Sequence, residues 1–191
     1  MPLIKVSYCP KEDRQLWTDM KLGDRLAFDQ IFNDHIEDLQ AYGQSFTNDE
    51  YIIDDCLQEV FCRIWQKRGQ LKTTDNIRYY LMAAFRKELF KVLKRNSKRH
   101  SLIGRFLPDS SIDFNATLET SFMEEDSRQE QMRALNQCFK KLSSRQKEII
   151  YLKYYNGLSF DEVCQILELD KKSVYNALSK GMMILRKNML V

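Results

Sequence analysis

Glycine and proline are scarce, six and three among 191 residues. So few turn formers cannot serve an all-β chain, which needs them at every tight reversal. The five cysteines (Cys9, Cys56, Cys62, Cys138 and Cys164) are odd in number, scattered and never paired as C-x-x-C. That argues against a disulfide framework or a zinc site and fits free thiols in a reducing cytoplasm, the expected location. Histidine occurs only at His35 and His100, and no glycine-rich phosphate loop is present. Most catalytic and metal templates therefore lack their residues, and no catalytic group, metal or cofactor is expected. No apolar run approaches the ~18 residues of a membrane span, and Met1-Pro2-Leu3-Ile4-Lys5 does not open a signal peptide, so membrane insertion is not expected.

What is abundant is charge, and it is segregated. Residues 1–85 carry 10 basic and 14 acidic side chains, whereas 86–108 carry eight basic residues against the single acid Glu88. Residues 109–130 reverse the sign with seven acids against Arg128, and 131–191 hold 11 basic and 5 acidic residues. The net charge of +3 conceals two basic blocks with an acidic spacer between them. Two surfaces for a polyanion, joined by a segment that does not compete for it, are the physical reading.

Hydrophobic spacing is helical throughout. Leu26, Phe28, Ile31, Phe32, Ile36, Leu39 and Tyr42 recur at three- and four-residue steps, predicting a helix from about Asp24 to Phe46. Thr47-x-x-Glu50 has the form of a capping box for a second helix to about Lys67, with Ile53, Leu57, Val60, Phe61, Ile64 and Trp65 as its apolar stripe. Thr74 or Asp75 can cap a third helix, through Ile77, Leu81, Phe85, Leu89 and Val92 to about Arg95. A shorter helix is expected around Leu16 and Met20. From 96 to 127 the pattern lapses into a polar, acidic stretch punctuated by Gly104 and Pro108, which reads as a flexible linker. The expectation is an all-α chain of two small helical domains. Its segments are an N-terminal piece at 1–22, a helical bundle at 23–95, the linker at 96–127 and a second domain at 128–191.

In that second domain Ser144 can cap a helix carrying Ile149, Ile150 and Leu152 that ends near Gly157. Ser159 and Glu162 then form a capping box for a short helix burying Val163, Ile166 and Leu167. Leu169-Asp170 makes a tight turn, and Asp170 caps a helix turning Val174, Leu178, Ile184 and Leu185 inward. Two helices joined so briefly form a helix-turn-helix, whose second helix can enter a major groove. Its outer face would present Lys171, Lys172, Ser173, Tyr175, Asn176, Ser179 and Lys180, combining phosphate binders with base-edge readers such as Asn176. The plainer alternative is a helical hairpin with a solvated lysine face.

These residues carry a resemblance. Leu142 to Ser159, followed by Asp161-Glu162-Val163 and Ser173-Val174-Tyr175-Asn176, resembles region 4 of bacterial sigma factors, with Leu142-Ser143 where Leu-Pro is common. Upstream, Asp54-Asp55-Cys56-Leu57-Gln58-Glu59-Val60-Phe61-Cys62-Arg63-Ile64-Trp65 resembles the D-x-x-Q-E-V-F-x-x-x-W motif of region 2. Both motifs, in order and separated by a linker, are similar to the extracytoplasmic-function group of the sigma-70 family. The resemblance implies a non-catalytic subunit that binds RNA polymerase core and directs promoter recognition, melting and initiation. It implies that Asp55, Gln58, Glu59 and Arg63 dock on the β′ clamp helices, and that the second domain meets the β flap and the minus-35 element. The minus-10 surface would include Tyr79, Tyr80, Arg86, Lys87, Lys91, Lys94 and Arg95, with the loop from about Gly69 to Asn76 receiving a flipped base. An anti-sigma partner and a monomeric free state are further implications.

The spacing agrees with these roles. Asp55, Gln58 and Glu59 stand at i, i+3 and i+4, on one helix face. Lys87, Lys91, Lys94 and Lys98 follow one stripe suited to phosphates, and Tyr79, Tyr80 and Phe85 are the aromatic candidates for base stacking. A nuclease built on Asp54, Asp55 and Glu59 fits poorly, because adjacent helical residues point about 100° apart. An operator-binding regulator would need a dimerisation or ligand domain, where the first half instead resembles region 2.

Overall fold

A computed structural model describes residues 10–101 and 137–189, with side chains over 12–96 and 137–187, and all the regular structure among them is helical. The chain divides into two units, Met1–Ile112 and Asp113–Val191. In the first, α1 (Pro10–Leu22), α2 (Arg25–Gln44), α3 (Glu50–Lys67), a 3-10 turn (Arg68–Gln70) and α4 (Ile77–Ser101) form a bundle. The corner between α1 and α2 is made by Gly23 at φ +102°, a conformation that disfavours a Cβ. Asp24 then caps α2, accepting from the Leu26 amide at 2.8 Å.

The core takes one stripe from each helix: Trp17 and Met20; Ile31, Leu39 and Tyr42; Ile53, Leu57, Val60, Phe61 and Ile64; Ile77, Leu81, Met82, Phe85 and Leu89. Burying a side chain of this size contributes about 1.5–3 kcal/mol before entropy is counted. Helix α2 packs tightly at Gly43, where an added Cβ would lie 3.1 Å from both Ile53 Cγ2 and Phe85 Cζ.

Several sequence expectations move. The short helix expected around Leu16 and Met20 is α1 and joins the bundle: Trp17 and Met20 are fully buried, and the Asp13 carboxylate accepts from the Ile77 amide at 2.9 Å, capping α4 from another helix. Helix α3 is capped by Asp49 rather than Thr47, whose hydroxyl instead accepts from the Asp49 amide. Helix α4 is capped by Asn76, which accepts from the Tyr79 amide at 2.9 Å, while Thr74 supports the Asn76 amide. It continues to Ser101, six residues past the expected end, because Gly104 is the first strong breaker in its path. The rest of the expected linker, 102–127, lies outside the described residues.

The second unit contains a helical turn at 137–140, α5 (Ser144–Ile150), a π-helical turn (Tyr151–Tyr155), α6 (Phe160–Leu167) and α7 (Lys171–Met189). Ser143, not Ser144, caps α5 through a reciprocal box with Gln146. The Ser159–Glu162 box opens α6 as expected. Leu152, Leu158, Val163, Ile166, Leu167, Val174, Leu178 and Leu185 are buried together in this small domain. The turn between α6 and α7 bends at Glu168, held at φ +54°.

Candidate functional site

Helix α3 divides cleanly by face. Cys56, Leu57, Val60, Phe61 and Ile64 are buried, whereas Asp55, Gln58 and Glu59 are exposed together. Arg63, half-buried one turn later, donates from Nη2 to Glu59 and, at 3.0 Å, to Glu88 Oε2 on α4. These hydrogen bonds, that to Glu59 first, raise the Arg63 pKa further. Glu88 gives its other oxygen to Lys91 Nζ at 2.9 Å. Burial pushes the Glu88 carboxyl up, but the hydrogen bonds from Lys91 and Arg63 outweigh it and hold the pKa below the ordinary carboxylate value. Beside it the Cys56 thiol is pushed up to about 11, by burial first and then by the Glu88 and Asp55 charges, so it stays an inert thiol at neutral pH.

On α4, Lys87, Lys91, Lys94 and Arg95 are exposed; the side chain of Lys98 lies outside the described residues. Arg86 is half-buried, its guanidinium 4.2 Å above the Phe90 ring. Phe85 has no exposed surface and belongs to the core, so it is not available to stack on a base. Tyr79 is half-buried, and Tyr80 packs its ring 4.7 Å from Trp17. Trp17 donates to the Lys72 carbonyl at 2.9 Å, anchoring the loop of residues 69–76 to α1.

On α7, Lys171, Lys172, Ser173, Tyr175, Asn176, Ser179 and Lys180 are all exposed, opposite buried Val174, Leu178 and Leu185. Three of the seven are engaged within the domain, two of them through polar bonds. Lys171 pairs with Asp161 of α6 at 2.6 Å, and that hydrogen bond raises its pKa. Ser173 donates to Asp170 through its amide at 2.9 Å and its hydroxyl at 2.6 Å, which lowers the Asp170 pKa. The Tyr175 ring stands 6.3 Å from Phe160, over which Lys153 lies at 5.2 Å.

Sequence reasoning missed Glu88, Trp17, Asp161 and Phe160 as organisers of these surfaces. Only Glu88 had a signal, as the lone acid of a basic block. Among the described residues no group of three or more His, Cys, Asp or Glu side chains could hold a metal ion. No helix among them is long and apolar enough to cross a membrane. The first unit thus offers an acidic-amide face and a basic stripe, and the second a helix with a polar, partly basic outer face.

Residues 31–99 match the family model for Sigma-70 region 2, and residues 132–185 that for Sigma-70, region 4. No curated protein gives a sequence match. Among solved structures, CnrH in complex with the cytosolic domain of CnrY is similar at 21% identity and a TM-score of 0.56, over 92% of this chain and 95% of that one. The sigma factor RpoE from Bartonella quintana, solved with the anti-sigma factor NepR, is similar at 18% identity and a TM-score of 0.60, over 86% of this chain and 97% of that one. With two models of one family in their order along more than half of its length, the chain belongs to the sigma-70 family, with a region 2 followed by a region 4.

Proposed function

We propose that the protein is a sigma factor that binds RNA polymerase core and directs promoter recognition, melting and initiation as a non-catalytic subunit. Residues 23–95, with α1 packed against them, act as region 2, residues 128–191 as region 4, and 96–127 as the connection. Asp55, Gln58, Glu59 and Arg63 dock on the β′ clamp helices; region 4 meets the β flap. The α4 stripe of Lys87, Lys91, Lys94 and Arg95 follows the backbone at the minus-10 element, with Arg86, Tyr79 and Tyr80 near the strand to be opened. Lys172, Tyr175, Asn176, Ser179 and Lys180 meet the minus-35 element, while Lys171 and Ser173 mainly fix the start of the recognition helix.

The observation that carries this reading is the separation of faces on α7: seven polar residues stand outward over a fully apolar inner side. The fold-alike sigma factor RpoE is held by an anti-sigma factor, and we extend such a partner to this chain. The free protein works as a monomer in the cytoplasm. Run-off transcription on genomic fragments with purified core polymerase, followed by start-site mapping, tests the proposal. Specific starts that depend on the chain support it; core polymerase that neither retains the protein on a column nor gains new starts overturns it, and operator binding without polymerase would then be the better account.

A further inference from the structure

Four charged side chains run in alternating sign from α3 to α4: Glu59, Arg63, Glu88, Lys91. The two ends are open, with Glu59 55% and Lys91 66% exposed, while Glu88 between them is 8% exposed. Each inner member is shared. Arg63 Nη2 serves both carboxylates, and the two Glu88 oxygens serve one cation each, Arg63 at 3.0 Å and Lys91 at 2.9 Å. One open end lies on the face assigned above to polymerase and the other on the stripe assigned to DNA.

We propose that Glu88 is a positioning residue that couples polymerase docking to DNA binding by competing for Lys91; the inference rests on the sigma-factor reading of those two faces. In the free chain Glu59 draws on Arg63, so Glu88 is only partly neutralised by it and holds Lys91. When Glu59 meets a cationic group on polymerase, its pull on Arg63 weakens. Arg63 then neutralises Glu88 more fully, and Lys91 is released toward phosphate. A buried carboxylate is suited to this because it cannot exchange its partners for water, so what one cation gains the other loses. Linkage makes the effect reciprocal: phosphate bound to Lys91 strengthens docking by the same factor.

The test uses the full-length chain, core polymerase and a forked promoter DNA at fixed salt. Two quantities are read for wild type, Glu88→Gln, Lys91→Ala and the double variant: DNA affinity of the free chain, and the ratio of core affinities with and without DNA. In Glu88→Gln, Lys91 is free from the outset. DNA affinity of the free chain should rise about five-fold while the coupling ratio falls by a similar factor, the low end of typical allosteric couplings. Both changes should vanish when Glu88→Gln is made in the Lys91→Ala background. A purely structural role would lower both quantities, and a mere net-charge effect would raise DNA affinity in the Lys91→Ala background as well; either result overturns the proposal, as does an unchanged coupling ratio.

If Glu88→Gln loses its helical spectrum, the same ratio is read for Glu59→Gln against Lys91→Ala, both exposed sites. Non-additive losses then support the relay, and additive losses overturn it. Failure of the wild-type chain to bind core at all would sink the sigma-factor reading itself, a result separable from intact docking without coupling.

Discussion

Arg63 of α3 and Glu88 of α4 are 25 residues apart in sequence and 3.0 Å apart in space. This contact ties the acidic face of α3 to the basic stripe of α4. Replacing Arg63 with alanine leaves Glu88 buried with Lys91 as its remaining cation. Loss of a hydrogen bond between charged groups should cost about 1.5–3 kcal/mol at neutral pH, measured by urea unfolding. The depressed Glu88 pKa sets the sign with pH. Its contribution is fully present above the unfolded carboxylate value and is lost as pH falls through the lower folded value. The variant should therefore show a weaker acid dependence than wild type, with the two curves converging at low pH.

His35 has the opposite chemistry and the same direction of pH dependence. Burial first, and then the Arg78 charge, push its pKa below the ordinary 6.5, against the opposing pull of Asp13, Asp34 and Asp38. Its buried Nδ1 has no hydrogen-bond partner. The unfolded chain thus takes up a proton that the folded chain resists. Stability should be level above about pH 6.5 and decline below it, until the folded histidine also titrates. Thermal melts of His35→Gln between pH 7.5 and 5 should be flatter than those of wild type.

Glu168 lies in the left-handed region at φ +54°, at the end of α6 where helix-turn-helix turns often place glycine. A residue with a Cβ there carries a strain of about 1–2 kcal/mol, part of which glycine forfeits through its more flexible unfolded chain. Glu168→Gly should stabilise region 4 by about 0.5–1 kcal/mol without altering its DNA preference. An unchanged or lowered unfolding midpoint would contradict this account of the turn.

The fold was largely legible because periodicity is a property of neighbours along the chain. The buried stripes of α3, α6 and α7 fall where three- and four-residue spacing puts them, and the Ser159–Glu162 box lies within one turn. What the sequence concealed depends on contacts between distant segments. Asp13 caps α4 across 64 residues, Trp17 anchors Lys72 across 55, and no local pattern encodes either. Thr47 and Asp49 both satisfy the composition of a cap, and only backbone geometry decides between them. For the sites, spacing predicted which residues share a face but not which are already engaged: Lys171 with Asp161, Ser173 with Asp170, Phe85 within the core.

The acidic face of α3 is tested by charge reversal. Asp55→Lys with Glu59→Lys should weaken core binding by at least ten-fold while keeping a normal helical spectrum, since both side chains are exposed and their helix is held by its opposite face. Charge reversal affects rim electrostatics most at low salt, so the loss should shrink as salt is raised. Unchanged affinity in a folded double variant would reject this face as the docking surface.

The two DNA surfaces should differ in what they lose. Lys94 is exposed on the α4 stripe, and Lys94→Ala should weaken promoter binding across sequences and reduce the salt slope by about one unit, as expected for one phosphate contact. Lys91→Ala should do less in the free chain, because Glu88 already holds that ammonium at 2.9 Å. Lys172 and Asn176 project from the first two turns of the recognition helix, the part that meets base edges in helix-turn-helix proteins. Replacing a residue that makes a bidentate base contact should cost about 1–3 kcal/mol at the minus-35 element and relax preference at one base pair. The salt slope should stay nearly constant for Asn176→Ala, which removes no charge, and this separates base reading from phosphate anchoring. The measurement is a titration of reconstituted holoenzyme against a randomised minus-35 library at two salt concentrations. Sequence preference that survives in both the Lys172 and Asn176 variants would mean that this helix contacts backbone alone, and would move specificity to Tyr175 and the residues beside it.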